Sequence, residues 1–441
     1  MQVQPDQAQL PNQRRPSALI RAGGSRLLAN LRDPGTMLPL VLIAAFAARV
    51  AWLDFPKNSL IFDESYYVNA ARILLGWTVA PGANYAGAPA GLDPNLEHPP
   101  LGKLLLALSM QVFGDNGIGW RIPSVIAGMS ALAAVYLIVR SAGETAWLGV
   151  MAVALLAFDN LTLVHGRIGT LDMLVLGPML VAAWLAIRER WVLAGVCLAL
   201  ALLIKLTALY ALLAIMALLL IRMTETWRRE HRIRVADFRP AITVTAVSIG
   251  LMLAGLWALD ARYTTYATPI DHIAHMVEYG ANLRSPVDRA GICVTNDSSP
   301  WEWPFNQCQI TYLRVDVTVS AGETLLSKIP SIDFRGALNP LLAGAIPLAI
   351  LFTLWMAWRT KNQLARWSIV WAAANYLPFI PLAIVNHRIT YIYYFLPVIP
   401  AVAIAVAILL LRSGLPRFVT VGFVVAYVVG FAAYFPFRTI P

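Results

Sequence analysis

The sequence predicts an all-α polytopic membrane protein, and three observations carry that class. Of 441 residues, 59% are hydrophobic and 13% charged, against about 25% charged in ordinary soluble domains. The apolar residues gather into runs of membrane-crossing length, and mean hydropathy is +0.64. Arginines gather between those runs, as the positive-inside rule requires. The net charge of +10 therefore describes loop ends and not a nucleic-acid face, and no nucleic-acid partner is expected.

In order, residues 1–36 are polar, rich in Gln, Pro and Arg, and lack the apolar core of a signal peptide. They read as a disordered cytoplasmic tail. A first span is expected at 37–53, and a first outer loop at 54–117. Within that loop, 103–113 is apolar but shorter than the roughly 20 residues a span needs. Further spans are expected at 121–139, 146–158, 170–187, 191–204, 206–221 and 240–259. The connection 222–239 holds six arginines and should be cytoplasmic. A second large outer loop covers 260–337. Spans at 338–357, 367–385, 391–411 and 418–435 complete about eleven, with the N-terminus inside. By this count both loops lie on the extracytoplasmic face. Residues 37–259 form an N-terminal transmembrane catalytic module, and 338–441 hold the C-terminal transmembrane helices. Of three cysteines, Cys197 falls in an apolar run. Cys293 and Cys308 share the second loop, where an oxidising compartment would join them.

The stretch 61–103 organises the rest. Asp63-Glu64 precedes a pattern in which Tyr67, Ala70, Ala71, Leu74 and Trp77 recur at helical spacing, the signature of an amphipathic interfacial helix. Glu97-His98-Pro99-Pro100 and Lys103 follow. Ionisable residues also fall where spans should end: Asp159, Arg167, Asp172, Lys205 and the trio Asn386-His387-Arg388. Each would cost about 2.5–3.5 kcal/mol if centred in lipid, so they are expected to line one polar cavity. Arg167, Lys205 and Arg388, with Arg121, would supply cations suited to a lipid-borne phosphate. A carboxylate can take a proton from a hydroxyl, and cations can stabilise a departing phosphate. That combination fits glycosyl transfer from a lipid-phosphate sugar. No Gly-rich phosphate loop or dinucleotide fingerprint is present.

These blocks resemble the protein O-mannosyltransferase family, within the GT-C group of polyprenyl-phosphate-sugar-dependent glycosyltransferases. Phe62-Asp63-Glu64 is similar to the family's acidic motif. The block from His98 through Pro99, Pro100, Leu101 and Gly102 to Lys103 is similar to its His-Pro-Pro block. Phe158 through Asn160 and Arg167 to Asp172 matches a third motif, and the tyrosines after Arg388 a fourth. Trp301-Glu302-Trp303-Pro304 is similar to a segment of bacterial members. The resemblance implies a GT-C fold with two large extracytoplasmic loops. It implies Asp63 as base, Glu64 positioning the base or the acceptor, and Arg167, Lys205 and Arg388 on the donor phosphate. His98 and Lys103 would shape the loop or touch substrate.

There are departures. Gly166 stands where the family has Ser, and 260–337 cannot hold the β-trefoil insert of eukaryotic members. The chain is also shorter than the lipid A aminoarabinose transferases, although Glu97 matches a Glu of theirs. The acceptor therefore stays open between a protein Ser/Thr hydroxyl and a lipid or glycan hydroxyl. A transporter of lipid-linked sugar is the reading from another class. The expectation is an inverting transferase, of mannose by resemblance, in a prokaryotic plasma membrane. Its partners would be the polyprenyl-phosphate sugar, the acceptor and membrane lipids. No cofactor is demanded. A divalent metal on Glu97 and His275, with His98 and His272 near, is left open.

Overall fold

A computed structural model describes residues 33–285, 293, 296–321 and 324–439. Most of the expected N-terminal tail lies outside the described residues. The first helix, α1 (Pro34–Val50), starts ahead of residue 37 because Asp33 caps it, accepting from the Thr36 N–H at 3.2 Å.

The helices that follow are α2 (Glu64–Leu74), α3 (Leu101–Phe113), α4 (Gly117–Ser141), α5 (Ala146–Ala157), α6 (Asn160–His165), α7 (Leu171–Ile187) and α8 (Trp191–Leu202). Next come α9 (Leu209–Glu230), α10 (Arg239–Tyr263) and α11 (Pro269–Asn282). After a hairpin, α12 (Pro340–Arg359), α13 (Gln363–Tyr376), α14 (Phe379–Ile384), α15 (Ile399–Arg412) and α16 (Arg417–Tyr434) complete the bundle. Among the described residues, 7 helical stretches are long and apolar enough to cross a membrane, and shorter apolar helices accompany them. The chain is a multi-pass membrane protein.

α15 is the central helix. Ala401, Ala403, Ala405 and Ala407 are buried on it, and it packs on α5, α12 and α13. Small side chains allow that approach where lipid offers no hydrophobic drive. α4 and α7 pack equally closely. A Cβ on Gly177 would meet Ser130 Oγ at 2.8 Å and the Ala127 carbonyl at 3.0 Å. The expected 367–385 span is broken between α13 and α14, at Pro378.

The second loop is not all-α. It holds an antiparallel hairpin, β1 (Ile310–Ala321) and β2 (Thr324–Gly336). The period-2 run of Val315, Val317 and Val319 against Arg314, Asp316 and Thr318 explains it. Beside β2, Phe437 forms an isolated antiparallel bridge with Ile332, with Asp333 N–H donating to the Pro436 carbonyl (2.8 Å) and Arg438 N–H to the Ser331 carbonyl (2.9 Å). Cys308, just before β1, is joined to Cys293 in a disulfide.

The two loops meet at one end of the bundle. The opposite end is arginine-rich, with Arg222–Glu189 (2.6 Å) and Arg366–Glu225 (2.8 Å) pairs. A cavity of about 310 Å³ opens there between Ile187, Ile215, Arg222 and Arg366. It is remote from the residues below.

Candidate active site

The acidic pair sits in the turn that leads into α2. Phe62 has φ +56°, a left-handed backbone that is unusual for an aromatic residue and typical of strained functional loops. The turn sends the two carboxylates to different environments. Glu64 is fully buried. Its Oε1 accepts from Arg121 Nε (2.8 Å) and the Gly169 N–H (2.7 Å), and its Oε2 from Arg121 Nη2 (3.0 Å) and the Ile61 N–H (2.7 Å). A carboxylate with four donors has no capacity left for a substrate proton. Glu64 therefore fixes the loop and is not a second acid–base group.

Asp63 is half-buried at the N-cap position of α2, yet its side chain caps nothing. Among the described residues its carboxylate accepts no hydrogen bond. Burial raises its pKa to about 7, with the Asp172 charge adding to the rise and Lys205 opposing it. This is a carboxylate poised to exchange a proton near neutral pH.

Lys205 lies where α8 ends, in extended backbone (φ −156°, ψ 133°) that carries it off the helix axis. Its Nζ donates to Asp172 Oδ1 at 2.7 Å and lies 5.8 Å from the Tyr393 ring and 5.9 Å from that of Tyr394. Asp172 occupies the first turn of α7, where the helix dipole favours an anion. His98 faces the positive charges of Lys205, Lys103 and Arg388. Burial first, and those charges second, hold its pKa well below the usual range, so the imidazole is neutral. Asp63, Asp172, Lys205, His98 and Arg388 thus share one neighbourhood, walled by Tyr67, Tyr393 and Tyr394.

Other expected site residues are taken up by the scaffold. Arg121 spends its donors on Glu64 and on the carbonyls of Leu53 (2.7 Å), Phe55 (3.1 Å) and Ser59 (3.0 Å). Arg167 donates to the carbonyls of Ala48 (3.0 Å) and Ala51 (2.6 Å) and stacks over Phe334, Phe435 and Phe437. Both guanidiniums are thus held by carbonyls of the scaffold. Asp159 caps α6 through Thr162 (2.9 Å) and holds the Asn339 N–H (2.8 Å). Lys103 is buried on Asp93 (2.6 Å), the His98 carbonyl (2.8 Å) and the Asn95 carbonyl. It ties the loop ahead of α3 and is closed to substrate. Two of the cations expected on a phosphate are thus paired with acids, Arg121 with Glu64 and Lys205 with Asp172, and Lys103 is paired with Asp93.

Arg388 donates to the Gly280 carbonyl from one Nη. Glu97 accepts from Asn95 Nδ2 at 2.5 Å. His272 is buried. Its Nε2–H donates to the Leu96 carbonyl (3.0 Å) and its Nδ1 meets Asp260 at 2.7 Å. His275 packs beside Tyr266. Among the described residues no three His, Cys, Asp or Glu side chains gather as metal ligands.

Sequence reasoning missed His165 and Tyr312. The His165 Nε2 and the Tyr312 hydroxyl share a 2.9 Å hydrogen bond, and Tyr312 stacks on Phe62 at 4.3 Å. The contact joins residues 147 positions apart, and no local signal announces it.

Residues 97–248 match the family model described as dolichyl-phosphate-mannose-protein mannosyltransferase. The Mycobacterium tuberculosis polyprenol-phosphate-mannose–protein mannosyltransferase is 35% identical over 113 residues, 25% of this chain and 20% of that protein. The match thus spans about a fifth of that relative's length. Among solved structures, the S. cerevisiae protein O-mannosyltransferase Pmt1–Pmt2 complex bound to the sugar donor superposes with a TM-score of 0.66 at 12% identity, covering 93% of this chain and 91% of that one. ArnT from Cupriavidus metallidurans, bound to undecaprenyl phosphate, gives 0.54 at 17% identity, covering 89% and 62%. The chain has the fold of the GT-C glycosyltransferases, and in residues 97–248 it resembles the dolichyl-phosphate-mannose-protein mannosyltransferase family in sequence.

Proposed function

We propose that the protein transfers a mannosyl group from a polyprenyl-phosphate donor to a Ser or Thr hydroxyl of a polypeptide, at the extracytoplasmic face of a prokaryotic plasma membrane. The observation that carries this is Asp63, a carboxylate that accepts no hydrogen bond among the described residues, tuned to neutral pH and set beside Lys205. The matches to mannosyltransferases support the sugar and the donor.

In this mechanism the acceptor hydroxyl gives its proton to Asp63 as its oxygen bonds to the anomeric carbon. The bond from that carbon to the phosphate oxygen breaks, and the electron pair leaves with polyprenyl phosphate. Lys205 and Arg388 offset the charge that develops on the phosphate. A leaving phosphate is a weak base, so no general acid is needed. One displacement inverts the anomeric centre. Asp172 holds Lys205 in place, and neutral His98 borders the sugar without adding charge.

The test supplies labelled polyprenyl-phosphate-mannose to membranes carrying the protein and follows label into protein, lipid and glycan. Label in protein is the expected result. Label in lipid or glycan keeps the mechanism and moves the acceptor. No transfer from any polyprenyl-phosphate sugar removes the enzyme reading in favour of transport.

A pH series gives a second check. Asp63 acts as the carboxylate and is protonated below about 7. On the acid side kcat/KM should rise about tenfold per pH unit and level off above that value. A flat profile between pH 5 and 8 would remove Asp63 as the titrating base.

A further inference from the structure

We propose that Tyr312 is a positioning residue for Asp63, so that the hairpin of the second loop sets the catalytic geometry of the first. The inference rests on the function proposed above for Asp63, although its structural half does not.

The strand pairing places Tyr312 with care. Thr311 pairs with Arg335 and Leu313 with Phe334, which leaves Tyr312 as the extra residue of a β-bulge. Bulges re-aim side chains and recur beside active sites. This one turns Tyr312 inward, where it is 7% exposed. Its ring stacks on Phe62 with centroids 4.3 Å apart and planes 29° apart. Tyr393 meets the other side of Phe62 edge-on at 5.5 Å. The Tyr312 hydroxyl is fixed by His165 Nε2 at 2.9 Å, and His165 Nδ1 lies 3.2 Å from Thr170 Oγ1.

Phe62 is the residue in left-handed backbone, directly before Asp63. Such a conformation costs about 1–3 kcal/mol and persists where its surroundings over-determine it. Two aromatic contacts on the Phe62 ring do that. An aromatic pair contributes about 0.5–1.5 kcal/mol beyond its burial. Releasing the ring would let φ relax and rotate the next residue, which is Asp63. Gly336 belongs to the same device. A Cβ there would lie 2.5 Å from the Tyr312 hydroxyl and 2.3 Å from Ile310 Cγ2. Only a residue without a side chain lets Tyr312 reach its place.

Tyr312→Ala, Tyr312→Phe and Gly336→Ala would be compared with wild type by steady-state kinetics and by hydrogen exchange of the segment 60–67. In Tyr312→Ala, kcat should fall about a hundredfold with KM for donor and acceptor unchanged, the scale expected for a displaced catalytic group. Exchange of 60–67 should accelerate. Tyr312→Phe keeps the stack and loses one hydrogen bond, so it should recover most of kcat, to within roughly tenfold of wild type. Gly336→Ala should imitate Tyr312→Ala. Should either not fold, Tyr312→Leu keeps bulk without the stack and serves in its place. Unchanged exchange in 60–67, or unchanged kcat, overturns the proposal. So does a raised KM at constant kcat, which would make Tyr312 a substrate contact. The exchange readout needs no turnover. A wild type without transfer activity would count against the proposed function, while exchange still decides the clamp.

Discussion

Asp63→Asn is expected to lower kcat by about 10²–10⁴-fold, the range that a positioned general base supplies. The amide is nearly the same shape as the carboxylate but cannot take the proton. The fold should survive, because the Asp63 side chain caps nothing and among the described residues makes no hydrogen bond. Donor affinity should hold or rise slightly, since the change removes a negative charge near the cations that would hold phosphate. Transfer would be measured at saturating donor, with binding of the polyprenyl phosphate followed separately. Equal losses in binding and turnover would make Asp63 a binding residue. Wild-type turnover in the variant would end its candidacy as base.

Arg121→Ala is expected to destabilise the protein by about 3–5 kcal/mol, the scale for removing one partner of a buried ion pair. The guanidinium bonds both Glu64 oxygens and three loop carbonyls. Its loss leaves the Glu64 carboxylate charged, buried and short of two donors. Glu64→Gln should be milder but still damaging, because the new NH₂ must face donors where an acceptor stood. Together the two changes should destabilise by less than their sum, since the second partner no longer strands the first. Thermal unfolding in detergent measures all three. Full additivity would show that the two side chains act independently. Activity should fall with stability, as Glu64 also sets the turn that presents Asp63.

The sequence makes the membrane class, the polar loops and the acidic pair legible because each is a local pattern. Apolar runs, arginine clusters and a helix start need only neighbouring residues. It also singles out Lys205 and Asp172, whose charges are anomalous at span ends. What it cannot supply is orientation. Arg121, Arg167 and Lys205 look alike as cations beside spans, yet two of them turn to backbone carbonyls and one turns to Asp172. Lys103 resembles a substrate contact until Asp93 is found against it. The hairpin was readable from its valine alternation but stood in a long loop where strands were not expected. The bulge that aims Tyr312 depends on a register between two strands, which no single strand encodes.

The bridge between residues 436–438 and β2 bears on the order in which the protein matures. Phe437 lies against Trp52, Phe334 and Phe435 and beneath Arg167, and its neighbours pair with β2. The ribosome makes Asp63 early and residues 436–438 after α16. During synthesis the nascent chain therefore carries Asp63 well before the segment that bridges to the hairpin exists. The hairpin gains this support only once α16 has been made, and a chain halted before α16 would carry the Asp63 turn without it.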